Sequence, residues 1–430
     1  MTTQLPGPSR LTTLRRLLPM PFLKFVPFLT EMTARYGSRF AFAVPWRSYV
    51  FINEPALIKD VLVTQQAAFS KSMGTRMLRH LLGDGLLTSE DPLHRQMRRI
   101  VQPAFHRERI ARYVEMMASA AAEFAAGIRP GVRFDLHAAA TALTLRIATT
   151  TLFGSDESDA TARVSAALGL MMEEFPYVLL PLGHLRRQLP LPATRRFDRA
   201  KRTLDDIIYG LIARRREAGG DEGDALSMLL AARDAETADR PSDEQIRDEV
   251  MTLFMAGHET TANLLVWTWY LLAQHPDDDA RMGAAAASDD RDFIDRVVRE
   301  SLRLYPPAWV IGRESLRAVT LVDGTLVPAG TTVLISPLLL HRRAEFFPSP
   351  DRFDPDRWCA AEPAPFAYLP FGAGARRCIG NEFALSEATV VLAAVARQWS
   401  FALEPGVEVR TAPLVTLRPA GPVPVRAVAR

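Results

Sequence analysis

The chain predicts a mainly α fold: one large helical body with a small β lobe. Three observations predict it. Long amphipathic stretches occupy 105–128, 136–153, 160–174, 194–218 and 285–304, with apolar residues returning at helical spacing. Strand-like pieces are few and short. One pattern, from Ser242 to Gln274, would span about 50 Å as a helix, far more than an ordinary element.

The strand-like pieces come first. Phe40–Val44 and Tyr49–Asn53 are joined around Pro45–Trp46. Val319–Val322 and Leu326–Val327 flank Asp323–Gly324, a turn dipeptide. Thr332–Ile335 and the tail Val423–Val428 follow. They place a β-rich lobe mostly within 36–65 and 315–340. The long helical pattern has its own start signal, since Ser242 with Gln245 after Pro241 makes a capping box. It stops at His275–Pro276. Its second half, Leu264–Leu272, is apolar nearly all round, which buries a helix through the body of a large domain. No linker divides the chain. The most polar stretch, Glu217–Glu244, is interrupted by the apolar Ala225–Ala232, so a single domain over 1–430 is expected.

Composition bounds the function. The chain has 430 residues, 48% hydrophobic and 23% charged, enough apolar material for a large core. Its net charge of +3 comes without a basic run, so nucleic-acid binding is not implied. The two cysteines, Cys359 and Cys378, make no disulfide framework and suit a reducing compartment. Leu11–Thr30 is fairly apolar, but Arg15, Arg16, Lys24 and three prolines interrupt it. It reads as neither a secretory signal nor a stable membrane span, and a cytoplasmic protein is expected.

Two motifs carry chemistry. Phe371–Gly380, FGAGARRCIG, sets Cys378 in a glycine-rich loop just before a helical pattern, Asn381–Gln398. Glycines let such a loop fold tightly and aim backbone N–H groups at one sulfur. A thiolate beside those donors and a helix N-terminus is stabilised and can ligate iron. The second motif, AGHETT at Ala256–Thr261, lies in the middle of the long helix. Ala256 and Gly257 let a flat ligand approach. Glu259 and Thr260 are polar groups in an apolar run, and burying them costs several kcal/mol unless they are satisfied or used. The Thr260 hydroxyl is in reach of the Ala256 carbonyl four residues back.

Phe371–Gly380 resembles the haem-ligand loop of the cytochrome P450 monooxygenases, and the resemblance extends from Leu5 to the end of the chain. It implies that family's fold, with haem b between the long distal helix and the cysteine loop. It implies Cys378 as axial thiolate, O2 as co-substrate, and Ala256, Phe371, Gly372 and Gly380 beside the haem. Thr260 would hydrogen-bond dioxygen and Glu259 would relay protons, which O–O scission consumes. His258, between them, is expected to face elsewhere.

Other segments agree. Glu300-Ser-Leu-Arg303 matches the family's E-x-x-R, with both charges on one helical face. The resemblance adds Arg357, in FDPDRW, to a buried network that holds the cysteine loop. Glu244–Arg247 also matches E-x-x-R and reads as a surface pair. His94 and Arg98, in HRQMRR, resemble the helix that crosses a haem propionate. Arg313 and Arg376 match two further propionate positions.

The resemblance also sets expectations about partners. Too little chain follows Cys378 for a fused flavin or ferredoxin domain, so electrons are expected from a separate ferredoxin or flavodoxin with its NAD(P)H reductase. Arg95, Arg99, Arg107, Arg109 and Arg377 would form the docking face, and a monomer is expected. Family analogy puts the pocket wall at Met77, Leu81, Leu82, Phe175, Val178, Leu179, Met255, Ala256, Trp309, Val310 and Leu414. These imply a hydrophobic small-molecule substrate: a fatty acid, terpenoid, steroid or macrolide-like compound. Arg76 or Arg79 is the candidate anchor for a substrate carboxylate. Two rival readings stay open: a peroxide-driven peroxygenase or isomerase, and a non-catalytic haem sensor or carrier. The Glu259–Thr260 pair speaks against both.

Overall fold

Ser242 starts the longest helix for a local reason. Its Oγ accepts Gln245 N–H at 3.2 Å, and Gln245 Oε1 accepts Ser242 N–H at 2.8 Å, completing the expected capping box. The helix runs Asp243–Gln274 and is called the long helix below. In this computed structural model the described residues are 5–17, 21–154, 163–164, 166–171, 191–220, 222–234, 236, 239–360 and 362–430.

The long helix is the axis of two cores. On one side Leu265, Val266 and Trp269 pack with Met117 of helix Arg107–Gly127, Val297 of helix Arg291–Leu304 and Val391 of helix Asn381–Ala396, the Cys-loop helix. On the other, Val250, Met251 and Phe254 pack with Leu81, Leu82, Val101 and Leu204. Helix Leu136–Phe153 lies along it. Asp135 caps that helix by accepting His137 N–H at 3.0 Å, and Gly154, at φ 65°, ends it in the left-handed conformation.

The expected helix 285–304 is two helices, Pro276–Ser288 and Arg291–Leu304. Asp289 breaks the run at φ 57°, and the Asp290 carboxylate caps the second helix at Asp292 N–H and Phe293 N–H. Met282 and Ala286 before the break and Phe293 and Val297 after it keep a helical apolar spacing, so periodicity alone does not reveal it. Of the stretch 160–174, residues 163–164 and 166–171 are helical, and the rest lies outside the described residues.

The β lobe is a five-stranded sheet in the order Arg39–Val44, Arg47–Ile52, Thr332–Ile335, Ile311–Ser315, Phe69–Lys71. Arg47–Ile52 and Thr332–Ile335 run parallel, and the other pairs are antiparallel. Two strands thus fall outside 36–65 and 315–340. Ile311–Ser315, IGRES, holds one large apolar residue, and Phe69–Lys71 is too short to alternate. These two strands bring Lys71 and Arg313 face to face in register.

The tail strand Pro424–Ala429 pairs with Trp399–Leu403 and Arg133–Asp135, and a separate hairpin joins Thr411–Pro413 to Leu417–Pro419. Among the described residues, no helix is long and apolar enough to cross a membrane.

Candidate active site

The cysteine loop is built on glycine. Gly372 and Gly374 sit at φ 67° and 72°, and a Cβ on Gly374 would lie 1.9 Å from the Leu62 carbonyl oxygen. No other residue meets both demands at position 374. Cys378 N–H donates to Phe371 O at 3.0 Å, closing the loop. The Cys378 sulfur accepts the Gly380 N–H at the start of the Cys-loop helix. Its side chain is accessible by surface area, yet burial pushes the thiol up, while the Gly380 N–H and then Arg98 and Arg377 pull it down. Both hold if the sulfur faces an interior space walled by protein.

A buried network fastens this loop. Glu300 and Arg303 are both 0% exposed, and Arg303 binds the carboxylate bidentately at 2.9 Å through Nε and Nη2. Arg357 Nε donates to Glu300 Oε1 at 2.9 Å, as expected. Asp354 N–H and Trp358 Nε1–H also donate to that carboxylate, at 2.9 and 3.1 Å. Arg303 reaches the His341 carbonyl at 2.9 Å, and His341 Nε2 accepts Leu369 N–H at 2.8 Å, two residues before Phe371. Burial holds His341 neutral, down at about 3, so it can accept that bond. Glu244 and Arg247 form no matching pair: Arg247 is buried and donates to Asp205 and Asp248 instead.

On the long helix, Ala256 is exposed and Gly257, Glu259 and Thr260 are partly exposed between turns that are buried. Thr260 Oγ1 donates to Ala256 O at 2.6 Å, the expected back-bond. Glu259 Oε1 accepts a hydrogen bond from Thr416 Oγ1 at 2.8 Å. His258 points the other way: its Nδ1 sits 2.8 Å from Phe254 O, and its carbonyl accepts from Thr144. On the Cys-loop helix, Glu387 is 1% exposed beside Thr261, whose hydroxyl donates to Gly257 O at 3.0 Å; burial raises the Glu387 carboxyl well above the usual range.

The third component is a cluster of cations. His94, Arg313 and Arg376 are joined by Lys71, which no motif marks. Arg98 borders the group and donates to Arg377 O at 2.9 Å. Lys71 and Arg313 are cross-strand partners, an unfavourable arrangement for like charges. Burial, and then the neighbouring cations, lower Lys71 to about 7, His94 to about 3 and Arg313 to about 10. Glu90, which accepts from Arg376 at 2.9 Å, and Asp91 are the nearby counter-charges. The cluster is built to receive further negative charge.

These features fit a haem. A haem's two propionates would answer the excess cations. Among the described residues no three His, Cys, Asp or Glu side chains come together as a metal site. Ala256 and Gly257 leave a flat group room.

Several expectations need correction. Arg76 is committed to Glu314 at 2.8 Å, Ser70 Oγ and Lys71 O, and Arg79 to both Asp84 oxygens. Neither is a free carboxylate anchor. Leu81, Leu82 and Trp309 are 1%, 1% and 4% exposed and belong to the cores; Trp309 Nε1 supports the hairpin at Leu414 O. Met77, Val310 and Leu414 are partly exposed, and Met255 is buried beside Phe254. Phe175, Val178 and Leu179 lie outside the described residues. Arg99 is paired with Asp234 and Glu236. Lys71, Thr416 and the donors Asp354 and Trp358 escaped sequence reasoning; only Asp354 and Trp358, both inside FDPDRW, had a signal that could have found them.

A loop-bound thiol, a cation cluster and an acid–alcohol pair on the long helix are what a haem-thiolate oxygenase requires. The family model described as Cytochrome P450 matches residues 6–422, and the chain belongs to that family. It therefore binds haem through a cysteine thiolate and uses O2 to oxygenate hydrophobic small molecules. It is similar to the cyclooctatin synthase of Streptomyces melanosporofaciens, 39% identical over 387 residues, which are 86% of this chain and 84% of that protein. The cyclooctat-9-en-7-ol 5-monooxygenase of the same organism is 37% identical over 90% of this chain and 86% of its own length. The pentalenene oxygenase of Streptomyces avermitilis is 35% identical over 87% and 86%.

Proposed function

We propose that this protein is a single-domain, monomeric monooxygenase that inserts one oxygen atom of O2 into a terpenoid hydrocarbon or terpenoid alcohol and reduces the other to water. The electrons come from a separate ferredoxin or flavodoxin and its NAD(P)H reductase. The observation that carries the reading is that the closed Cys378 loop leads into a helix packed against the long helix, which carries Glu259 and Thr260. Two further facts favour a terpenoid over a fatty acid: the similar proteins are named for cyclooctatin, cyclooctat-9-en-7-ol and pentalenene, and Arg76 and Arg79 are already paired with Glu314 and Asp84.

Bound haem supplies a thiolate-ligated iron whose electron-rich sulfur favours O–O cleavage. In this reading Cys378 is the ligand, held by the Gly380 N–H and by the loop closure at Phe371. His94, Arg98, Arg313 and Arg376 would hold the propionates, and Lys71, whose Nζ donates to Leu86 O at 2.8 Å and Ser89 O at 2.6 Å, would add its charge behind them. Thr260 carries a proton at Oγ1 beside the space left by Ala256, and Glu259 resupplies it. Met77, Val310 and Leu414 give the substrate an apolar wall.

The test is turnover under 18O2 with NAD(P)H, a ferredoxin and its reductase. Cyclooctat-9-en-7-ol, pentalenene and a series of fatty acids are offered in parallel. A terpenoid that shifts the Soret band and gains one label is the expected result. Labelling of fatty acids alone, or turnover with hydrogen peroxide and never with the redox partner, would overturn it.

The electron donor should dock on the arginines that remain exposed. Arg95, Arg107 and Arg377 are exposed, whereas Arg99 is held by acids of this chain. Reversing Arg107 and Arg377 to Glu is expected to slow reduction about tenfold or more at low salt and to flatten its salt dependence. Unchanged stopped-flow reduction rates across a salt series would remove this face from consideration.

A further inference from the structure

Glu259 and Thr260 are not bonded to each other in the structure. The Thr260 hydroxyl is given to Ala256 O at 2.6 Å, and the Glu259 carboxylate is held from the other side by Thr416. Thr416 is 6% exposed and lies on the hairpin Thr411–Pro413/Leu417–Pro419, far away in sequence. Its hydroxyl has one proton to give, and the Glu259 carboxylate, which only accepts, takes it. Asn263 is 0% exposed and its Nδ2–H donates to Thr416 Oγ1 at 3.1 Å, leaving the Thr416 proton for Glu259 Oε1 at 2.8 Å. Asn263 is one turn beyond Glu259 on the same face of the long helix. One turn further, Trp267 Nε1 donates to Leu417 O at 2.9 Å, so the same helical stripe pins the hairpin. Pro307 O accepts Leu417 N–H at 3.0 Å, which fixes it from a second side.

We infer that Thr416, oriented by Asn263, is a positioning residue that sets where the Glu259 carboxylate sits relative to Thr260. Its hydroxyl acts through Glu259, the group it is bonded to. The inference rests on the proton-supplying role proposed for Glu259.

The experiment uses haem-loaded protein with no added substrate. Thr416→Val keeps the shape and removes the hydroxyl; Thr416→Ser keeps the hydroxyl; Glu259→Gln is the reference. The first readout, on resting protein without turnover, is the infrared carboxyl band assigned to Glu259 by its loss in Glu259→Gln. The second, with NADPH and a surrogate ferredoxin and reductase, is the fate of O2. Two electrons and two protons give hydrogen peroxide; four electrons and four protons give two waters. Thr416→Val is expected to shift the Glu259 band and to raise the peroxide share several-fold toward that of Glu259→Gln, with Thr416→Ser close to wild type. The double variant should be no worse than Glu259→Gln alone. If Glu259→Gln keeps the wild-type peroxide share, the proton role of Glu259 fails, and this inference with it. If Glu259→Gln releases peroxide but Thr416→Val leaves band and share unchanged, the positioning role alone is overturned. Equal damage from Val and Ser, with faster hydrogen exchange over 411–419, makes Thr416 merely structural and also overturns it.

Discussion

Cys378→Ser protein is expected to lose the strongly red-shifted Soret band of the reduced, carbon-monoxide-treated enzyme and to oxygenate substrate at background rate. The reason lies in the ligand. A serine oxygen cannot donate electron density as a thiolate does, and it is that donation which favours O–O cleavage. The fold should survive, because the loop is closed by the backbone bond from Cys378 N–H to Phe371 O and fastened through His341, not through the sulfur. Cys359→Ser is the control, since that residue is exposed beside Arg296. A red-shifted band that persists in Cys378→Ser and vanishes in Cys359→Ser would reverse the assignment.

The largest effect on folding is expected from Glu300→Ala. Glu300 collects hydrogen bonds from Arg303, Arg357, Trp358 and the Asp354 backbone with no exposure to solvent. Removing it leaves the Arg303 guanidinium buried without a counter-charge, which costs about 3–5 kcal/mol. Native proteins are stable by only about 5–15 kcal/mol, so the variant should yield little soluble, haem-loaded protein. Glu300→Gln keeps acceptor oxygen but not the charge and should fall between. Glu244→Gln, at the other E-x-x-R, should change the melting temperature little, because Glu244 is exposed and Arg247 is paired elsewhere. Normal haem content and melting temperature in Glu300→Ala would refute the network's role.

These two predictions could be framed from the sequence because their motifs are local. The glycine pattern around Cys378 reports a backbone that only glycine can adopt, and the i,i+3 spacing of Glu300 and Arg303 reports a shared helical face. The long helix was equally legible, since its cap, apolar run and stop all lie in consecutive residues. Residues that meet across strands or from distant segments left no such trace. Lys71 faces Arg313 only because the sheet places their strands side by side. Arg76 reads as a free cation until Glu314 is seen beside it.

The sequence by itself determined the family, the cysteine loop, the positions of Glu259 and Thr260 on the long helix and the core of the Glu300 network, because each is written in a short window of backbone geometry or helical spacing; His94, Arg98, Arg313 and Arg376 were marked by resemblance to the family. Tertiary structure alone decided that Lys71 joins the cation cluster, that Arg76, Arg79 and Arg99 are paired with this chain's own acids, and that Thr416 holds Glu259. The physical reason is the same in each case. Charges and hydroxyls act over a few ångströms of space, and chain segments far apart in sequence come within that range only when the packed cores set them there.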